Sequence, residues 1–408
     1  MRSLLLAFLT LPVFASAQGS LTPPAAPAPT MRTLTQIEPR VPLEAGAPGI
    51  FVNSANGDVT IGSSGSYYLT GNLTVSAGNA ITIVADNVTL DLNGFTISTT
   101  ASPAGGSAIG FAASIQRNIT IRNGHIASGI TVSAAGTPSG NGFKYGVYSV
   151  GRIENVRVSD LGVSGVSSAG ILLDWGSTIE RCVVQSCGDT GISGQVITDC
   201  SATECGTTAI HGTTVSNSQG SAIHDTGLFA ETATNCRGSS VANSGLFATV
   251  ASGCYGTSTS GVGLRAKETA TGCFGSTISG DYGLLVAVDA ATLGTAENCS
   301  GRAPSSGIGL SAGVATNCTG TSLANVGLLA TTATNCIGTS TSSFGLQADT
   351  ASNCTGISVS GQRGLYIIGT ASYCLGKRPG GIALSAAIAI GCTSAAGDIL
   401  ASNRYLMP

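Results

Sequence analysis

A cysteine, five times within the tetrad Asn-Cys-x-Gly, returns along the second half of this 408-residue chain at almost constant spacing, and nothing else in the sequence constrains the fold as tightly. Cysteines stand at 236, 254, 273, 299, 318, 336, 354, 374 and 392, at intervals of 18, 19, 26, 19, 18, 18, 20 and 18 residues. Each has an Ala three residues before it, and Gly-Leu follows about ten residues after all but the last two. A fixed period of this length marks a solenoid, whose repeats bury their apolar faces only against one another. Eighteen residues with three or four glycines are too few for two helices and their turns, and Thr, Ser and Gly form helices poorly. Short extended runs broken by Gly and Asn fit, so one copy reads as one coil, stacked on its neighbours as parallel strands about 4.8 Å apart. The aliphatic residue at every sixth position that a left-handed hexapeptide β-helix needs is absent. The expected fold class is all-β: a single-stranded right-handed parallel β-helix with about 18 residues per coil and capped ends.

In such a stack, equivalent positions pile up. Cys236, Cys254, Cys273, Cys299, Cys318, Cys336, Cys354, Cys374 and Cys392 are expected to form an interior ladder, with Asn235, Asn298, Asn317, Asn335 and Asn353 beside it at a turn. Asn side chains in such a column can pass amide hydrogen bonds from coil to coil, and Cys behaves as a small buried hydrophobe. One thiol per coil with no accompanying His speaks against a metal site, and no cofactor is expected. Register neighbours about 4.8 Å apart exceed the ~3.5–4.5 Å Cβ separation of a disulfide. The pairs Cys182/Cys187 and Cys200/Cys205 leave two readings open: turn-bridging disulfides in an oxidising compartment, or two more buried columns.

Residues 1–17 read as a signal peptide, with Arg2, an apolar stretch from Leu4 to Phe14, and Ala15-Ser16-Ala17 for cleavage. This predicts a secreted protein, whether extracellular, periplasmic or at the cell surface. Residues 18–33 read as a Pro/Ala-rich linker, and 34–408 as one β-helix domain, with 34–66 closing its first end and 397–408 its last. Residues 99–116, 131–145 and an insertion near 288–294 read as loops leaving the coil. Only 9% of residues are charged and the net charge is −3, which offers no field for nucleic acid. No later apolar run approaches the ~20 residues of a membrane span.

The phrases "GSYYLTGNLT", "NVTLDLNGFTI" and "NITIRNG", followed by glycine-rich coils, resemble secreted bacterial right-handed parallel β-helix repeat proteins of the pectate-lyase-like superfold. The resemblance covers residues 34–408 and implies architecture more than activity, since that superfold hosts lyases, hydrolases, adhesins and proteins of no known chemistry. Its lyases imply an acidic calcium site with a basic residue. Its pectin hydrolases imply paired aspartates, Gly-His-Gly and Arg-x-Lys. Neither set is written in this sequence; the nearest phrase, "NGHIASG" at 123–129, lacks the second glycine and the acids.

Polar chemistry concentrates in 143–225. The functional reading there is a glycan groove, with Trp175, Tyr145 and Arg181 binding and Asp199, Asp225 or His224 in acid/base work. The competing reading is a row of solvated ion pairs, with Arg181 and Asp199, one period apart, paired across coils. A column after Cys holds Tyr255 and Phe274 and then lapses, and a Thr/Ser column two residues before Cys runs from Thr234 to Ser372. The leading expectation is an exported, non-catalytic β-helix with a structural or surface role whose partner is an extracellular polysaccharide or cell surface. The alternatives are a polysaccharide lyase or hydrolase with its site on 143–225, and an adhesin-like or ice-binding Thr/Ser surface.

Overall fold

The computed structural model describes residues 40–112, 115–149, 151–289 and 292–406. The expected signal peptide and linker lie outside the described residues, as do 34–39 of the first cap. The expected right-handed parallel β-helix is the fold of the chain, a solenoid of about 18 turns with a spacing of about 19 residues. Among the described residues there is no helix. Residues 41–408 form one compact unit.

One coil shows how the sequence makes the turn. Leu228–Thr234 is a bent strand, Asn235 a corner, and Arg237–Ser240 a second strand; the chain then turns through Gly245 into Leu246–Ser252. Leu228 lies over Leu246, Ala233 over Ala251 and Arg237 over Tyr255. Asn235 holds φ = 53°, and the same left-handed conformation recurs at Asn298, Asn317, Asn335 and Asn353, and with other residue types at Gly253, Gly272, Tyr373 and Gly391. Asn tolerates this region better than most residues and Gly enters it freely. The Asn column is therefore first a backbone requirement. Of the expected amide ladder one rung is formed in this column, with Asn317 Nδ2 donating to Asn298 Oδ1 at 3.2 Å.

The cysteine ladder is interior: all thirteen thiols are buried and free. It is more than filler. Cys336 Sγ lies 3.2 Å from the Thr334 carbonyl across the corner and 3.3 Å from the Ala315 carbonyl of the preceding coil, and its amide donates to Cys354 Sγ at 3.4 Å. A thiol is a weak donor, yet here it serves carbonyls that the corner leaves short of partners. Ser218 takes the same place once and does the same work, donating to the Ser216 carbonyl at 2.7 Å and accepting from the Cys200 amide at 3.1 Å. The neighbouring thiol and burial push Cys187 and Cys236 well above the ordinary thiol range. Cys187 stacks on Cys205 and the Cys182 amide donates to Cys200 Sγ, which makes these pairs two buried columns rather than turn-bridging disulfides.

The repeated Thr-Ser after Cys-x-Gly also has a structural reason. Ser340 is fully buried; its hydroxyl donates to the Asn325 carbonyl of the preceding coil at 2.7 Å and accepts the Ser343 amide at 3.0 Å. Ser258, Ser322 and Ser358 repeat this staple.

Two boundaries differ from expectation. Within 99–116, Ser107–Phe111 is a coil strand, paired with Ile81–Ile83 and Tyr145–Tyr148, because Ala108, Ile109 and Phe111 supply core residues inside an otherwise loop-like composition. At the far end, Thr393–Tyr405 continues the stack against Leu375–Ile390, so most of 397–408 is a further coil and not a distinct plug. At the near end, Ile50–Val52 pairs antiparallel with Val59–Ile61, which breaks the parallel stack as a cap should. Residues 131–139 leave the coil as expected, as a small antiparallel hairpin.

Candidate functional site

The charged residues of 143–225 divide between two settings. Arg181 is tied to Asp160 by two bonds of 2.6 and 2.8 Å and reaches Glu180 at 3.3 Å, while Glu180 also holds Arg157. The expected Arg181–Asp199 pair is thus replaced: Asp160 of the preceding coil and Glu180, the residue just before Arg181, offer the guanidinium two carboxylates where the next coil offers one. Arg181 in turn holds the Asp160 carboxyl below its usual range. Arg117–Glu154 and Arg122–Asp91 extend this row of cross-coil pairs. Exposed pairs such as Arg117–Glu154 and Arg181–Asp160 contribute little to stability. Arg181 and Asp199 both sit at left-handed corners, φ 50° and 55°, which gives them a structural position in the coil.

Two of the three acid/base candidates are also occupied elsewhere. Asp225 accepts from Thr208 at 3.0 Å, Thr226 at 3.2 Å and Asn243 at 2.8 Å. His224 Nε2 meets the Ala135 carbonyl at 2.8 Å and so fastens the 131–139 hairpin to the coil. Asp199 stands at the corner before Cys200, while Asp225 stands in the turn before Gly227, two different corners of the winding. Among the described residues no group of three or more His, Cys, Asp or Glu could hold a metal.

What the structure brings together is a different set. An outward column runs in register through Tyr148, Leu172, Ser193, His211, Phe229, Phe247, Arg265 and Leu285. Ring centroids of His211 and Phe229 are 4.9 Å apart at 75°, and those of Phe229 and Phe247 are 5.1 Å apart at 54°. The guanidinium carbon of Arg265 lies 5.3 Å from the Phe247 centroid and Lys267 Nζ lies 5.4 Å from it. Trp175, 65% exposed, stands at the head of the row on a turn in which its amide donates to Asp174 Oδ1 at 2.8 Å.

Three open clefts follow the column. The first, about 530 Å³, is lined by Trp175, Gln195, His211, Phe229 and Glu231. The second, about 560 Å³, lies between Asp225, Asn243, Phe247 and Arg265. The third, about 930 Å³, runs from Arg265 to Asp281, Tyr282, Leu285 and Leu293. Of the expected binders, Trp175 lines this groove. Tyr145 is stacked on Tyr148, a member of the same column, at 4.1 Å. Arg181 belongs to the ion-pair row instead. The signal for His211, Phe229, Phe247 and Arg265 was present in the residue that follows Ile210, Leu228, Leu246 and Leu264, one place beyond the Gly-Leu used to define the period. The column after Cys holds only a short stack, Arg237 over Tyr255 at 4.6 Å and Tyr255 on Phe274 at 4.8 Å.

Burial holds His211 below the ordinary imidazole range, with the Asp225 charge opposing. A depressed histidine favours the neutral folded form. Its contribution to stability is complete above the unfolded pKa and is lost as the pH falls through that value toward the folded one. The thermal midpoint of the wild type is therefore expected to fall more between pH 7 and pH 5 than that of His211→Asn; equal falls in the two proteins would contradict this.

The coils and the groove define a parallel β-helix repeat protein with an aromatic cleft along one face. Two solved structures resemble it: the ORF18 protein of Geobacillus virus E2 (14% identity, TM-score 0.25, covering 87% of this chain) and the A-module of the mannuronan C-5 epimerase AlgE6 from Azotobacter vinelandii (12%, 0.25, covering 84% of this chain and 86% of that one). This chain spans 55% of the length of the viral protein. No protein-family model matches the chain, and no curated protein matches it. No helix among the described residues is long and apolar enough to cross a membrane.

Proposed function

We propose that the chain is an exported, non-catalytic glycan-binding β-helix that holds an extracellular polysaccharide along the Trp175–Arg265 groove. The observation that carries this is the register of His211, Phe229 and Phe247: coils about 4.8 Å apart set successive rings at a spacing close to the length of one sugar residue. Aromatic faces take the apolar faces of sugar rings, and Asp225, Asn243, Gln195 and Glu231 supply hydroxyl partners at the cleft edges. Export is supported by Arg2, the Leu4–Phe14 stretch and Ala15-Ser16-Ala17. The lyase or hydrolase alternative is weaker because Asp225 and His224 are engaged in structural bonds. The test is affinity electrophoresis of the full chain through a panel of neutral and acidic polysaccharides, with product analysis, with and without calcium. Retardation without cleavage is the expected result; bond breakage would establish the enzymatic alternative.

A second surface supports the ice-binding alternative. Thr232-Ala233-Thr234, Thr269-Ala270-Thr271, Thr332-Ala333-Thr334, Thr350-Ala351-Ser352 and Thr370-Ala371-Ser372 set two outward ranks of hydroxyls on one face, with Ala inward. Val250, Val314 and Glu297 interrupt the ranks. Thermal hysteresis above that of an equal concentration of albumin would favour this reading.

A further inference from the structure

We propose that the groove takes a sparsely charged glycan, a neutral backbone with an occasional acidic substituent, and that Arg265 receives the acidic group. This rests on the glycan reading above and names the ligand class. Arg117, Arg122, Arg157 and Arg181 are each paired with a carboxylate. Arg265 differs from them: it has no carboxylate in ion-pair range among the described residues, its Nε is buried without a hydrogen-bond partner, and its Nη2 reaches the Val288 carbonyl at only 3.5 Å. A guanidinium offers five donors in a fixed fork, and leaving one buried and unmet is costly unless an acceptor arrives.

Arg265 also stands where an acceptor would arrive. It follows Phe229 and Phe247 in the ring column and lines both the second and the third cleft. One of its sides packs over Phe247, with Lys267 near the same ring, and the next coil sets Leu285 in register with it. A planar cation partly withdrawn from water among apolar groups pairs strongly and bidentately with a carboxylate or sulfate. Turning about its terminal torsions, the side chain brings the unmet Nε to that group.

The surrounding charges set the sparseness. Asp225 borders the second cleft, Asp281 and Asp289 the third, and Glu231 the first. A polymer with a charge on every sugar would meet these carboxylates along its whole length. No acidic cluster able to hold a bridging cation is present among the described residues to offset that. A neutral chain with separated acidic groups places one at Arg265 and keeps uncharged sugars beside the aspartates.

The experiment measures affinities of the full chain for arabinoxylan (neutral), glucuronoxylan (sparse carboxylates), lightly sulfated xylan and polygalacturonate (a charge on every sugar). If another neutral glycan of the panel binds in place of xylan, its lightly carboxymethylated, lightly sulfated and heavily carboxymethylated forms replace these probes. Expected is a preference of about tenfold for the sparsely acidic form over the neutral one, with the fully charged polymer weakest. Comparing the carboxylated and sulfated arms tells which anion the fork takes. Arg265→Gln should abolish the preference, and Arg265→Lys should restore part of it. Unchanged far-UV circular dichroism and thermal midpoint show that the variants are folded. A preference that survives Arg265→Gln, or tightest binding to the fully charged polymer, overturns the proposal. Absence of binding to every polysaccharide overturns the glycan reading itself, and neutral binding with no acidic preference overturns only the role of Arg265.

Discussion

Gly327→Ala is expected to destabilise the protein by about 4 kcal/mol or more, at the far end of what one methyl group can do. A Cβ at 327 would lie 2.4 Å from both the amide nitrogen and the carbonyl oxygen of Thr339, and 2.6 Å from the Gly345 carbonyl. These are backbone atoms of strands locked into the stack on both sides, so no side chain can swing away to make room. The glycine of Cys-x-Gly meets the same obstacle from across the coil: a Cβ at Gly338 would lie 2.2 Å from the Gly345 carbonyl. The two glycine columns face each other where the coil is thinnest, and backbone packs there on backbone. Each coil leans only on its neighbours, so the damage should appear as an early, partial unfolding step and not merely a uniform shift of one transition. Differential scanning calorimetry reads both. Gly71→Ala, with open space around its Cβ, is the control and should shift the midpoint little. A Gly327→Ala protein as stable as the control would mean that the coils do not pinch at this column.

Phe229→Ala and Phe247→Ala are each expected to weaken polysaccharide binding about thirtyfold, the ~2 kcal/mol typical of a buried aromatic anchor. Both rings are half-buried and lie outside the coil, while the core beneath them is carried by Leu228 and Leu246. Losing either should therefore cost affinity far more than it costs stability. Their neighbours sharpen the comparison: Phe274, on the strand face after Cys, stacks on Tyr255 but borders none of the three clefts along the groove. Phe274→Ala should bind as the wild type does. Isothermal titration with whichever glycan retards the full chain separates these cases, and equal losses for Phe274 and Phe247 would remove the groove as the binding face.

The coil itself was legible because its period is written in residues with few substitutes. Only Gly fits at 327 and 338, and the left-handed corner at 335 accepts Asn or Gly readily and most other types poorly. The thiol column was legible as interior for the same reason of repetition, but its hydrogen bonds were not, because a sequence does not say which carbonyls a corner strands. The site was harder to see. Arg181 and Asp199 stand out as charges in a chain that has few, yet they occupy corners and carry ion pairs or exposed turns. His224 looks like chemistry and fastens a hairpin, a contact across 89 residues that no local pattern encodes. Phe229 and Phe247 were visible all along, but only after the period is aligned on Leu228 and Leu246 does a ring fall over a ring.

Stacking of equivalent positions, with sulfur inside, is tested most directly by counting reactive thiols in the purified, never-reduced protein before and after unfolding in guanidinium. The ladder predicts that essentially none reacts in the native rod and that all 13 cysteines react once it is unfolded. Rapid labelling of the native protein, or a count near zero after unfolding, would contradict it.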